Sequence, residues 1–469
     1  MSDSPVPSGV PDKKLSIVEK VGYAFGDTAS CLYFNTWAQF LLFFYTDVFG
    51  ISAAAAGLML VITRFGDVLV DPVVGVIADR TKTRHGKFRP WLRWMSIPLA
   101  IAAVLMFTTP NFSGNGKLFY AYITYSLALV AYSAINIPYS ALMGVITKNP
   151  VERTELSSYR FLGAFSANLI VQYSLLKMVH GLGGGSQQHG FQLSMGIYGI
   201  AATLLFLTTF YTTKERVEPP KAQRNNLKTD LKELGGNGPW LSLCGIGVLT
   251  LVWVSIRGGS VVYYFKYYVG NEDMTSLFLT TGTVGTLVGV YCTKWIEKFL
   301  GGKRTTFMVC NVLSGVTLLW FFFLTPDQKT SMYVLNVLSS FIGGPLMPLT
   351  WSMFADTADY AEWKFNRRST GLIFSAGTFS QKMGWSVGGG LAGILLSHYG
   401  FAANAVQSTG AQNGIRILMS LIPGICCFVT AAAVLFYKID NKMLKQMGED
   451  LRERRARDLN SGAAIAETV

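Results

Sequence analysis

One short stretch, RFGDVLVDPVVG, sets two carboxylates and a guanidinium among apolar residues. Arg64, Asp67 and Asp71 follow i, i+3, i+7 spacing, which puts all three on one face if the segment is helical. Two carboxylates one turn apart can share a cation through their oxygens. Alternatively, one can hold a proton whose release burial and the neighbouring charge oppose. Pro72 removes a backbone donor and leaves a nearby carbonyl free as a further ligand. A structural bridge from Arg64 to one aspartate is the plainer alternative, and it leaves the second carboxylate unneutralised.

Other polar groups recur in equally apolar surroundings. FGDTASCLYFN sets Asp27, Cys31 and Asn35 four residues apart, so the acid and the amide project from one stripe, suited to sugar hydroxyls, a cationic side chain or an interhelical contact. Around Pro138, Tyr132, Asn136 and Tyr139 or Ser140 share a face. Arg160 is expected a turn or so inside its segment, where an arginine can also snorkel to the interface. Arg257, in VWVSIRGGSVVYYFKYYVG, lies deeper, and the glycines after it permit close approach or a break. Lys382, in GTFSQKMGWSVGGG, also lies deep and needs an acidic partner, for which Asp27 and the Asp67–Asp71 pair are the available groups. A lysine facing that pair competes with a bound cation and can couple its release to a change of shape.

The elements that carry these residues are long and apolar. Half of the 469 residues are hydrophobic and 14% are charged, against roughly 25% charged in an ordinary soluble chain. Apolar blocks near the ~20 residues that span a bilayer fall at about 22–48, 54–79, 91–109, 117–146, 157–180, 191–213, 239–268, 275–297, 305–325, 331–356, 370–397 and 413–437. They lack the dyad alternation of barrel strands, so helices are expected.

The formal charge of +13 is distributed as a topology signal. Lys and Arg crowd into RTKTRHGKFRPW, KNPVER, KERVEPPKAQRNNLK, EKFLGGKR, KFNRR and the C-terminal stretch, while FGISAAAA, HGLGGGSQQHG and YGFAANAVQSTGAQNG hold none. This alternation predicts an even number of spans with both termini in the cytoplasm, and it argues against a nucleic-acid partner. Six cysteines lie in apolar segments without metal or disulfide spacing, and the four histidines, His85, His180, His189 and His398, show no metal spacing either. The histidines thus speak against an enzyme, and no G-x-x-x-x-G-K-[ST] loop is present, so an ATP-driven pump is not expected either. A sensor would bring an added soluble domain, for which neither terminus has the length.

The longest basic loop, 214–238, divides the spans six and six. GVIADRTKTRHGKFRP after the second span is echoed by GVYCTKWIEKFLGGKR after the eighth. IPYSALMGVI in the fourth is echoed at nearly the same offset by MPLTWSMFAD in the tenth. The expected organisation is a disordered leader (1–18), a six-helix bundle (19–213), a cytoplasmic loop (214–238), a second six-helix bundle (239–437) and a charged cytoplasmic tail (438–469).

This pattern, with G-V-I-A-D-R-x-x-x-R from Gly75 to Arg84, resembles the major facilitator superfamily. FFYTDVFG, D-x-x-x-D-P followed by RTKTRHGKFRPW, NIPYSAL and ADTADYAEWKFNRRSTG together resemble the glycoside–pentoside–hexuronide:cation symporters, across about residues 19–440. The resemblance implies an all-α protein of the bacterial inner membrane, two helical bundles rocking about a midplane site, and sugar uptake driven by H⁺, Na⁺ or Li⁺ without a further cofactor; a monomer in the lipid bilayer is expected.

It also assigns residues. Asp67 and Asp71 match the family's cation-site carboxylates, and would be metal ligands if the ion is Na⁺; Ser133 replaces a hydroxyl that helps hold the cation. Tyr132 matches a sugar-contacting aromatic, and Arg160 and Lys382 match basic residues of the sugar and coupling regions. Arg64 and Lys382 are the expected coupling charges. There are departures too. Cys31 and Asn136 stand where the family's galactoside carriers have aspartates, and Ser140 stands in place of a stacking tryptophan. A rebuilt pocket is therefore expected around Asp27, Asn35 and Arg257. Val70 replaces an amide that favours Na⁺, which tilts the expectation toward H⁺. Arg257, Arg160 and Lys382 leave room for an anionic sugar, and an amphiphile such as a lysolipid is the alternative cargo.

Overall fold

The computed structural model describes residues 15–147, 149–216, 235–365 and 370–466. Most of the leader, the centre of the basic loop at 217–234, the end of the KFNRR motif and the last three residues lie outside them. Among the described residues there is no strand. The helices are α1 (Ile17–Phe43), α2 (Ala53–Arg80), α3 (Arg89–Met106), α4 (Asn115–Ile146), α5 (Pro150–Leu182) and α6 (Gln187–Thr212). They continue as α7 (Gly238–Tyr263), α8 (Met274–Leu300), α9 (Lys303–Phe321), α10 (Lys329–Gly343), α11 (Leu346–Phe365), α12 (Thr370–His398), α13 (Thr409–Met419), α14 (Leu421–Ala433) and α15 (Asn441–Ala466).

By length and composition, nine helical stretches among the described residues can cross a membrane. The other three expected spans coincide with α1, α3 and α12, which carry charges such as Asp27, Arg93 and Lys382. Two expected spans are interrupted. The tenth breaks between α10 and α11 at Gly344 and Pro345, because proline cannot donate the helical hydrogen bond. The last breaks at Ser420, with Pro423 in the first turn of α14. α5 begins at Pro150, earlier than expected, so Arg160 stands about three turns inside it.

The chain forms two compact units. The first comprises residues up to Thr36, Phe65–Val171 and Met178–Ala222; the second comprises Trp37–Arg64, Gln172–Lys177 and Gln223 onward.

In the first unit α3 packs against both α4 and α6. Its N-terminus is satisfied by Glu215, whose carboxylate accepts the backbone N–H groups of Lys87, Phe88 and Arg89 at 2.8–2.9 Å, where the helix dipole favours negative charge. Arg89 in turn donates to the Phe210 carbonyl at 2.6 Å. The next residue, Arg216, pairs with Glu19 at 2.6 Å, and that hydrogen bond raises the Arg216 guanidinium above its ordinary value. Close approach of α1 to α4 and α5 draws on Gly26 and Gly163. A Cβ at Gly26 would stand 2.2 Å from the Tyr139 ring, and one at Gly163 would stand 2.7 Å from the Ala24 carbonyl.

In the second unit α7 lies against α12, where Gly384 and Gly388 let the backbones meet: added Cβ atoms would stand 2.7 and 2.4 Å from the Val248 and Val252 carbonyls. A core of Leu243, Ile246, Phe307, Leu349, Met353 and Phe354 fills the space beside it. The tail helix α15 docks on α11 through Met447 and through Trp363, whose indole N–H donates to Asp450 at 2.8 Å. All six cysteines are free.

Candidate functional site

The first unit brings together the carboxylates of α2 and a hydroxyl of α4. Ser133 Oγ lies 2.8 Å from Oδ1 of Asp67 and 2.8 Å from Oδ1 of Asp71. Asp67 and Ser133 are buried, and Asp71 is half-buried. α2 is helical from Ala53 to Arg80 through Pro72, so the four-residue spacing does stack the acids on one face, with half-buried Arg64 one turn earlier. Two carboxylate oxygens within hydrogen-bond reach of one hydroxyl can coordinate a small cation or hold a proton among them. Among the described residues no three His, Cys, Asp or Glu side chains cluster, so a cation here would be held by two carboxylates and a hydroxyl.

In the same unit, Asp27 of α1 and Arg160 of α5 answer one another. The guanidinium meets the carboxylate in a two-pronged contact, Nε to Oδ2 at 2.5 Å and a terminal nitrogen to Oδ1 at 3.2 Å. This is the geometry that makes arginine–carboxylate pairs strong. Arg160 also lies 5.0 Å from the centre of the Tyr139 ring and 5.8 Å from that of Tyr23. Those rings stack 4.9 Å apart, and the Tyr139 hydroxyl donates to the Tyr23 carbonyl at 2.8 Å. Arg160 therefore reaches across to α1 and does not snorkel. Tyr139 lies behind the pair, a role its position beside Asn136 in the sequence did not reveal. Asn35, Tyr132 and Asn136 are half-buried on α1 and α4, and Ser140 is exposed.

The remaining expected residues belong to the second unit. Arg257, half-buried on α7, donates to the Asn336 side-chain oxygen at 2.9 Å and lies 5.9 Å from the Phe278 ring centre. Asn336 donates to the Phe278 carbonyl at 2.7 Å, so one amide links α7, α8 and α10. The Arg257 Nε is buried without a hydrogen-bond partner, and among the described residues no carboxylate pairs with this guanidinium. Lys382 is half-buried on α12. Asn336 escaped the sequence reading; an amide in the apolar run VLNVL was its only signal.

The chain as a whole is similar to known proteins. The family described as MFS/sugar transport protein matches residues 22–441. The chain is 35% identical to the inner membrane symporter YicJ of Escherichia coli (strain K12), over 94% of this chain and 96% of that one. It is 36% identical to the isoprimeverose transporter of Lactiplantibacillus pentosus, over 94% and 92%. Among solved structures, a D-xylose–proton symporter superposes with a TM-score of 0.63 at 14% identity, covering 90% of this chain and 96% of that one, which speaks for the fold alone.

Proposed function

The chain belongs to the MFS/sugar transport protein family of the major facilitator superfamily, and from that membership we propose that it is a sugar–cation symporter of a bacterial inner membrane. Its relatives are transporters and not enzymes. In this reading twelve spans form two six-helix bundles with both termini in the cytoplasm, working as a monomer by alternating access.

The observation that carries the reading is the convergence of Asp67, Asp71 and Ser133. Two carboxylates on one face of an apolar helix, sharing one hydroxyl, favour a cation or proton bound among them. Binding there lowers the free energy of whichever arrangement the neutral pair prefers, and so couples the ion gradient to the shape of the carrier. Arg64 and Lys382 are the competing charges. Val70 brings no side-chain oxygen to the pair, which supports H⁺ over Na⁺.

The sugar is held in this proposal by Asn35, Asn136 and Tyr132, with the Asp27–Arg160 pair presenting its remaining donor and acceptor capacity to substrate hydroxyls. Arg257, lacking a carboxylate partner among the described residues, supports room for an acidic sugar. Replacing both Asp67 and Asp71 with Asn is expected to abolish gradient-driven uptake into vesicles while leaving the protein inserted. Undiminished uptake by the double variant would end the proposal. Counterflow with neutral and uronic glycosides, with and without Na⁺ and at two pH values, assigns the cargo and the ion.

A further inference from the structure

α1 and α7 open the two halves of the repeated sequence, and they end alike. FFYTDVFG at 43–50 and YYFKYYVG at 263–270 both finish in a π-helical turn, Phe44–Val48 and Tyr264–Val269. Each turn is followed by a glycine of positive φ, Gly50 at 82° and Gly270 at 75°, a conformation that other residues adopt only with strain. A π turn rotates the side chains after it relative to the helix before it, and such turns concentrate at functional positions.

The two ends are joined side chain to side chain within the second unit. Asp47, whose side chain is fully buried, accepts from Lys266 Nζ at 2.8 Å and from the Tyr267 hydroxyl on the same oxygen. Its other oxygen accepts from the Thr46 hydroxyl at 2.7 Å, and that hydroxyl lies 2.8 Å from the hydroxyl of Tyr263. Asn404, from the loop before α13, closes the cluster. Its amide donates to the Asp47 carbonyl at 2.6 Å, its side-chain oxygen accepts from Lys266 at 3.0 Å, and its backbone N–H donates to the Tyr267 hydroxyl at 2.8 Å. Phe401 packs edge-on against both Tyr263 and Tyr267, and Lys266 stands 4.8 Å from the Phe43 ring centre.

We propose that this Asp47–Lys266–Tyr267–Asn404 cluster is a reversible latch that holds the outward ends of α1 and α7 together, and that it must open whenever the carrier faces outward. The inference rests on the alternating-access reading above, since halves that rock must part at one face and then at the other. Desolvation cancels much of the attraction in a buried ion pair, so the net free energy of closing this one is small. That same cancellation suits a contact that must open: once apart, the carboxylate and the ammonium regain water, so the closed and open states stay close in free energy. Hydrogen bonds from three segments still specify one closed register.

The latch is tested by access to Val48, which is buried beside Asp47. Val48→Cys in right-side-out vesicles is expected to react slowly with a membrane-impermeant maleimide, read by peptide mapping at that residue. Adding Lys266→Met is expected to speed the reaction about tenfold, whereas Lys266→Arg keeps it slow. If Lys266→Met does not reach the membrane, Asp47→Asn removes the same ion pair and should give the same acceleration. Equal rates for the Met (or Asn) and Arg variants, or labelling from the inner face alone, would overturn the latch. Labelling reads opening whatever the cargo, and sugar counterflow in the same vesicles reads the transport proposal, so the two ideas can fail separately.

Discussion

Arg160 and Arg257 are both guanidiniums set deep in apolar helices, and their surroundings answer them differently. Arg160 meets the Asp27 carboxylate through two nitrogens and lies against two tyrosine rings. Arg257 meets one amide, that of Asn336, and keeps a buried Nε without a partner. A charge paired in this way is neutralised on the spot and braces α5 against α1. A charge held by an amide alone remains a charge, and an incoming anion would find it there. In the sequence Arg160 reads as the shallower of the two and Arg257 as the deeper; only the partner separates a brace from a candidate receptor.

Three experiments press on this contrast. The largest effect is expected for Arg160→Met, which strands Asp27 without its partner. Unfolding in detergent should show a loss of about 3 kcal/mol, with most of it recovered in Asp27→Asn/Arg160→Met. If the double variant is as unstable as the single one, the pair is not what braces these helices.

A middle effect is expected for Gly26→Ala. The new Cβ would press into the Tyr139 ring behind Arg160, with a cost of about 2 kcal/mol read by the same unfolding measurement. Little change there would mean that α1 can move away without loosening the pair.

The smallest stability effect is expected for Arg257→Met, within about 1 kcal/mol, since no carboxylate is stranded by it. Its consequence should appear in transport instead: KM for a uronide rises about tenfold while KM for a neutral glycoside holds. A stability loss matching that of Arg160→Met would erase the distinction between the two arginines.

Much of the frame was legible in the sequence because hydrocarbon leaves few options. A backbone with no water to bond to must close its hydrogen bonds within a helix, so apolar blocks of bilayer length give helices at nearly the expected places. The stacking of Asp67 on Asp71 follows from a four-residue spacing, and the helix carries it through Pro72. The breaks at Pro345 and Ser420, and the early start of α5, were missed because hydropathy reports how apolar a segment is and not whether its backbone runs straight. FFYTDVFG was recognised as a family motif, yet its counterpart YYFKYYVG went unmatched. The two share shape and a terminal glycine more than they share residues.

The sequence by itself determined the helical membrane class, the family, and which α2 carboxylates share a face, since local periodicity and composition suffice for these. Family resemblance already set Ser133 beside those carboxylates; only the tertiary structure decided that Asp27 belongs to Arg160, that Arg257 has an amide for company, and that Asp47 is met by Lys266. The physical reason is the range of the interactions. A helix fixes neighbours three and four residues apart, whereas each of these contacts joins residues tens to hundreds of positions apart, whose meeting depends on how glycines, prolines and π turns let whole helices approach.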